Sequence, residues 1–496
     1  MQVKAKLSLV FLLSLAAVLF LVPSSALAAE GPGLAAGEAD LGSLVAGGEE
    51  GVSEPDGVEL GTQASSAAWH RLYGQTALDT MGAIVDAGGF ARGGTVVLTT
   101  AGGYWDALTA AGLAGMAKAP ILMTDGKSLS PQTRAQIKKL APRKIVVCGG
   151  AAAVGPGAVS QARAAAGTSP AVVRCAGADA VGTAVDIYKR APGAAGGIWG
   201  STAFVCTNAG YWDALAAAPI SYAKRMPIFL TSGRNSIDSR VVSAMKAGGI
   251  KSVWIVGGTA AVSDSVKAKL SKNGITVNGR LAGATAVETS EAVAAYGLRL
   301  GMKADRMGVA TTSGYWDALA GAALCGRRGS VLVLVSDERS HSISGFVRSH
   351  AKEISDGYIF GGPAAVSRLS ADALNVATGG SSSLNPSVIH STPNSQRSER
   401  VNLTGIVREY HGVDEYHGNK PKTMYILVLP AEVSVVGTQY VGVSSNKIVL
   451  REGFSSSVGR EITINTGITI SPTVSRPEYK ITMLWASKDA RLVDLW

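Results

Sequence analysis

The 496 residues carry 47% hydrophobic and 17% charged side chains, which excludes a wholly disordered chain and allows three or four domains at ~150 residues each. Gly is frequent, at 61 residues, but has no Gly-X-Y period, so collagen is excluded; four Cys are too few for a disulfide scaffold. The formal net charge of +10 favours polyanionic partners.

Lys4 and Lys6 precede an apolar run from Leu7 to Val22, and Pro23-Ser24-Ser25-Ala26-Leu27-Ala28-Ala29 follows it. A positive start, an apolar middle and a small-residue close read as a secretory signal peptide over residues 1–29. The run is shorter than the ~20 residues a membrane helix needs, so no span is expected after cleavage. Residues 30–66 hold eight acidic residues and no Lys or Arg, with Gly and Ala filling much of the rest; they read as a flexible acidic leader. Without these two segments the charge concentrates, and residues 67–384 carry about +14. An exported cationic region meets anionic wall polymer more readily than nucleic acid, through contacts that salt weakens.

An internal repeat dominates the next 300 residues. Gly-Tyr-Trp-Asp-Ala-Leu begins at Gly103, Gly210 and Gly314. Each copy is followed by a β-rich run ending in two glycines: Gly149-Gly150, Gly257-Gly258 and Gly361-Gly362. Upstream, Arg71, Arg174 and Arg280 are each followed at +3 by Gly74, Gly177 and Gly283, and at +9 by Thr80, Thr183 and Thr289. Markers held in register this way define three copies of one unit, at residues 67–168, 169–276 and 277–377.

Within the first copy, Val96–Thr99 reads as a strand, Trp105–Lys118 as a helix, and Ile121–Met123 as a second strand. Ser130-Pro131 opens a helix to Leu140, and Lys144–Cys148 is a third strand. Strands alternating with helices predict an α/β fold, here three similar small modules each built on a parallel sheet.

Asp106, Asp213 and Asp317 fall just inside predicted helix starts. Each is either a carboxylate at the sheet's ligand-binding edge or, the reading favoured here, a first-turn acid answering the helix dipole. The neighbouring Tyr and Trp read as packing residues, with sugar stacking left open. The three Arg have two readings: bidentate binding of phosphate or carboxylate, or an ion pair joining one unit to the next. The glycine pairs read as tight strand-to-helix turns.

No catalytic set is legible. Gly126-Lys127-Ser128 fails the phosphate-loop spacing, and no Asp-x-Asp, His-Glu-x-x-His or Gly-x-Ser-x-Gly occurs. His411, Glu415 and His417 read as a solvated loop ahead of a metal site. Cys148, Cys175, Cys206 and Cys325 align with other residues in the sister copies, so they are no repeated metal or redox set; a Cys148–Cys206 bridge between neighbouring strands is one pairing. No metal and no cofactor are expected.

Residues 378–398, rich in Gly, Ser, Asn and Pro, read as a linker. Beyond them, five or more β-rich segments within 399–496 predict a small barrel-like all-β domain whose partner the sequence leaves open.

Over roughly residues 71–375 each unit resembles the cell-wall-binding repeat of Gram-positive surface proteins. The residues that carry the likeness are the Arg-x-x-Gly starts, Asp-Ala-Leu, Pro120-Ile121-Leu122-Met123-Thr124 with Pro227-Ile228-Phe229-Leu230-Thr231, and the Gly-Gly pairs followed by Val154, Val262 and Val366. The third copy departs, with Val331-Leu332-Val333-Leu334 in place of the Pro-Ile strand. The resemblance implies three modules packed as a pseudo-threefold trimer that holds an anionic secondary wall polymer without covalent chemistry. It also implies polymer binding through Ile121, Leu122, Ile228, Leu230, Leu332 and Leu334 together with Arg71, Arg174 and Arg280. The expected protein is a non-enzymatic surface anchor displaying its β domain. The rivals are a wall hydrolase (amidase or glycosidase) with its catalytic part in the β domain, and a surface adhesin.

Overall fold

A computed structural model describes residues 67–336, 345–386, 388–390, 398, 400–414, 420–436, 443–450, 453–470, 484–486 and 490–492. Residues 1–66, read from the sequence as a signal peptide and an acidic leader, lie outside the described residues.

Among the described residues, twelve strands build the repeat region: β1 (Ala68–Leu72), β2 (Thr95–Thr100), β3 (Ile121–Thr124), β4 (Lys144–Cys148), β5 (Ala171–Cys175), β6 (Thr202–Cys206), β7 (Ile228–Leu230), β8 (Ser252–Val256), β9 (Thr276–Leu281), β10 (Lys303–Thr311), β11 (Ser330–Val335) and β12 (Asp356–Phe360). They form three parallel four-stranded sheets, in the orders β3-β2-β4-β5, β7-β6-β8-β9 and β11-β10-β12-β1. Their central strands are unbroken apolar runs such as Ile145-Val146-Val147, buried on both faces by flanking helices. Pro131 and Pro156 stand at the first turns of their helices, where a missing N–H costs nothing. Thr76, Asp179 and Thr285 cap the helices that follow the three Arg strands.

The sheets are offset from the sequence repeat. Each takes three strands from one repeat and its edge strand, the one bearing the Arg, from another: β5 brings Arg174 to the first sheet and β9 brings Arg280 to the second. The first strand of the region, β1, pairs with β12 from Ala68↔Asp356 to Leu72↔Phe360 and so closes a ring.

At the centre of the ring three aromatic residues meet. The rings of Tyr104, Tyr211 and Tyr315 lie pairwise 5.5 Å apart. Around them the indole N–H groups run in a cycle: Trp105 donates to Asn208 O, Trp212 to Thr312 O and Trp316 to Ala101 O. The Gly-Tyr-Trp-Asp-Ala-Leu repeat is thus the pseudo-threefold axis of the trimer. The helices it starts are Ala-rich and small-faced, which lets them press together: a Cβ on Gly115 would lie 2.0 Å from Tyr222 O. One continuous apolar core runs through all three modules.

The C-terminal region contains β13 (Val388–His390), β14 (Val401–Asp414), β15 (Lys420–Val436), β16 (Val443–Leu450), β17 (Glu461–Thr466), β18 (Ile468–Ile470), β19 (Leu484–Ala486) and β20 (Arg491–Leu492). They form one mainly antiparallel sheet in the order β18-β19-β16-β15-β14-β17-β20, with β13 parallel to β15. Its core is separate from that of the ring. Part of the stretch read as linker is built into structure. Asp372 accepts hydrogen bonds from Ser382 and Ser383, and buried Asn385 exchanges two bonds with the Thr404 backbone.

Candidate functional site

The repeated motif acquires a physical role at the C-terminal edge of each sheet. After each Arg strand the chain turns at Gly74, Gly177 or Gly283, whose backbone N–H donates to Thr80, Thr183 or Thr289 Oγ1, at 3.1 Å in every copy. The glycine is required because the turn lies flat on the helix it precedes: a Cβ there would come within 2.3 Å of Asp79, 2.2 Å of Gly182 or 2.2 Å of Glu288. Arg-x-x-Gly and the distant Thr are one lock.

The Arg side chain works in the opposite direction, onto the glycine turn beside it. Arg71 Nη1 donates to Gly361 O at 2.9 Å and Val366 O at 2.8 Å. Arg174 reaches Gly149 O at 2.6 Å and Val154 O at 2.8 Å. Arg280 reaches Gly257 O at 2.7 Å and forms an ion pair with Asp264 at 3.1 Å. The three Arg thus join one repeat to another through carbonyl oxygens, and the ion pair that the sequence offered as one reading is found for Arg280.

The aspartates face the same turns. The first glycine of each pair has positive φ, at +117°, +101° and +108° for Gly149, Gly257 and Gly361. A Cβ on these would stand 2.5 Å from Asp106, 2.1 Å from Asp213 and 2.5 Å from Asp317 carboxylate oxygens. Burial pushes Asp213 and Asp317 up to about 6, with Arg280 holding Asp213 back. Asp106 is raised by the same burial, moderated by a hydrogen bond with Thr183. These carboxyls are costly to ionise where they sit, which first-turn dipole compensation alone does not explain.

The two glycines of each pair are not equivalent. Gly150 and Gly258 have open space where a Cβ would go. Gly258→Ala is expected to leave the unfolding midpoint within about 0.5 kcal/mol of wild type, whereas Gly257→Ala costs at least ~1–3 kcal/mol in backbone strain. Urea unfolding of the two variants checks this; equal midpoints would contradict it.

In the second module these parts frame a groove of about 620 Å³. Trp212 and Asp213 line one side, Gly258 and Thr259 another, and Gly283 and Thr285 lead into the N-terminus of the helix Ala286–Arg299. Exposed Arg234 stands at its margin, with Nε donating to Thr259 O at 3.1 Å. Lys127 is exposed on the corresponding loop after β3. Of these two cations, Lys127 stands in the sequence only as the centre of a failed phosphate loop and Arg234 not at all; a Gly-basic pair shared by two copies, Gly126-Lys127 and Gly233-Arg234, is the available signal. The groove lies outside the carboxyl ends of the strands, where open parallel sheets take their ligands.

The model of the family described as cell wall binding domain 2 matches residues 71–159, 174–267 and 280–370, more than half of the chain. The chain belongs to this family. A similar protein is the N-acetylmuramoyl-L-alanine amidase LytC of Bacillus subtilis (strain 168), 28% identical over 249 residues, half of this chain and 47% of that one. Another is the amidase enhancer of the same organism, 28% identical over 328 residues, 66% of this chain and 42% of that one. The chain therefore spans less than half the length of either. Among solved structures, Cwp6 from Clostridium difficile has a TM-score of 0.53 at 22% identity, over 63% of this chain and 48% of its own. Cwp8 from the same species has a TM-score of 0.53 at 23% identity, over 62% and 51%. Both share the fold.

Within these wall-binding repeats the six aliphatic residues named from the resemblance are core. Ile121, Leu122, Ile228, Leu230, Leu332 and Leu334 are at most 2% exposed, so their side chains offer no surface to a ligand. Among the described residues no group of three or more His, Cys, Asp or Glu is arranged to hold a metal. His411 is exposed on β14, while Glu415 and His417 lie outside the described residues. The Cys148–Cys206 pairing is corrected: Cys148 ends β4 in the first sheet and Cys206 ends β6 in the second, and the residue opposite Cys148 is Cys175.

Proposed function

We propose that the chain is an exported anchor whose ring of three modules grips an anionic wall polymer non-covalently and carries the β domain at the cell surface. The groove at the C-terminal edge of the second sheet carries this reading. It combines an indole face, backbone N–H groups at a helix start and the Arg234 cation, a set suited to an acidic glycan. The charge of about +14 on residues 67–384 supports it, as do the N-terminal signal and the family. In this reading the aliphatic strands and the three Arg act by holding the groove in shape, and the exposed cations on the loops after β3 and β7 meet the polymer.

Sedimentation of the full chain with purified sacculi tests the proposal. Binding to native walls is expected, with release as salt rises from low to molar concentration. Arg234→Ala together with Lys127→Ala should weaken retention several-fold without changing the unfolding midpoint. Equal sedimentation with walls stripped of their secondary polymer would refute it.

A further inference from the structure

The four cysteines do not enter the wall-binding reading, and two of them face each other. We propose that Cys148 and Cys175 form a disulfide that fastens the first repeat to the second.

Strand register sets the two cysteines side by side. Strands β4 and β5 pair in parallel from Lys144↔Ala171 to Cys148↔Cys175. Neighbouring strands run about 4.8 Å apart, inside the ~4.4–6.8 Å window of Cα separations that a disulfide spans. Residues opposite one another on adjacent strands send their Cβ atoms to the same face. Both residues are fully buried, and in this structure both are free thiols. The same register pair in the other sheets is Val256↔Leu281 and Leu72↔Phe360. A thiol pair is thus particular to this joint and is not demanded by the fold. Cys206 is opposite Leu230, and Cys325 packs on Gly308, so neither has a cysteine beside it.

The position gives the bond a purpose. Cys148 precedes Gly149 and Cys175 follows Arg174, whose guanidinium binds Gly149 O and Val154 O. Gly149 N in turn donates to Cys175 O at 2.9 Å. The disulfide would span the joint that the Arg clamp holds, covalently and without dependence on pH or salt.

The chemistry is thiol–disulfide exchange with a small disulfide oxidant. One cysteine thiolate attacks the oxidant's S–S bond, forming a mixed disulfide and expelling one thiolate. The second cysteine thiolate attacks the protein sulfur of that intermediate, the Cys148–Cys175 bond forms, and the second oxidant thiolate leaves. The cysteines lose two electrons and two protons, and the oxidant is reduced to two thiols. Because both sulfurs are buried, exchange takes place during folding, before edge strand β5 has docked.

The full chain is refolded from denaturant with glutathione disulfide present, then denatured and alkylated without reductant. Two labelled thiols, Cys206 and Cys325, are expected, with a cross-linked peptide joining 148 to 175 and an intact mass two hydrogens below the reduced form. Four labelled thiols, or a cross-link between any other pair, would overturn the proposal. A second measurement uses Cys148→Val with Cys175→Leu, the residues the second module carries at this pair. Reductant should lower the unfolding temperature of the wild-type protein by several degrees and leave that of the variant unchanged. An equal response of both would overturn the proposal whatever the wall-binding assay shows.

Discussion

Arg71→Ala is expected to open the ring. Its guanidinium joins β1, at the start of the region, to the glycine turn after β12, near its end, through bonds to Gly361 O and Val366 O. Removing it forfeits two charge-assisted bonds and strands two partly buried carbonyls, a cost of about 3–5 kcal/mol. Lysine should rescue it only in part: both short bonds come from the single nitrogen Nη1, which an ammonium can replace, but the Nη2 contact with Ser367 O at 3.4 Å and the rigid planar placement are lost. Urea unfolding of the variant should show a lower midpoint, or a separate early phase if β1 peels away before the rest. The same variant decides between the two readings of the repeated Arg. A joint residue loses stability and wall retention together, and recovers retention at low temperature where the fold is intact. A ligand contact loses retention with an unchanged midpoint, and that outcome would refute the clamp.

The sequence made the modules legible because their signals are local or repeated. Pro131 marks a helix start by its fixed φ, and the strand Lys144–Cys148 is a short apolar run between turn residues; both lie where the pattern puts them. The triplicated hexapeptide announced a constrained position, but not that its three Tyr would share one axis, since that contact joins residues more than a hundred positions apart. The offset between repeat and sheet was illegible for a related reason. A β strand's period tells which residues face the core, not which sheet receives it, so the Arg strand could not be assigned to the sheet of another repeat. The Ile-Leu strands show the limit of carrying a role over by motif: their apolar character is explained by complete burial. Arg234 is illegible in the sequence because a lone surface cation carries no period, and Lys127 is legible there only as part of a phosphate loop whose spacing fails; the groove gives both their meaning.

Asp213→Asn should stabilise the protein at neutral pH and lose that advantage in acid. The carboxyl lies against Gly257 at 8% exposure, and burial raises it from 3.8 to about 6. Folding therefore favours the protonated acid. Between about pH 4 and 6 the folded chain keeps a proton that the unfolded chain has released, so stability falls as pH rises through this interval. Above it the full penalty applies, about 3 kcal/mol by the size of the shift. An amide of the same shape escapes that cost, so the variant should unfold at higher urea at pH 7.5 and match wild type near pH 4. The carboxylates held low by Arg240, Asp179 and Asp238, lose their contribution only as pH falls below their ordinary range, outside this window. A midpoint at pH 7.5 equal to or below wild type would contradict the assignment. Wall retention gives the second half of the result. An ionised acid on the wall of the groove opposes an anionic polymer, so wild type should bind more tightly at pH 5 than at pH 7.5, and Asp213→Asn should bind at pH 7.5 as wild type does at pH 5. If the variant instead folds well and fails to bind at either pH, the carboxylate itself contacts the polymer and the repeated Asp is a ligand residue.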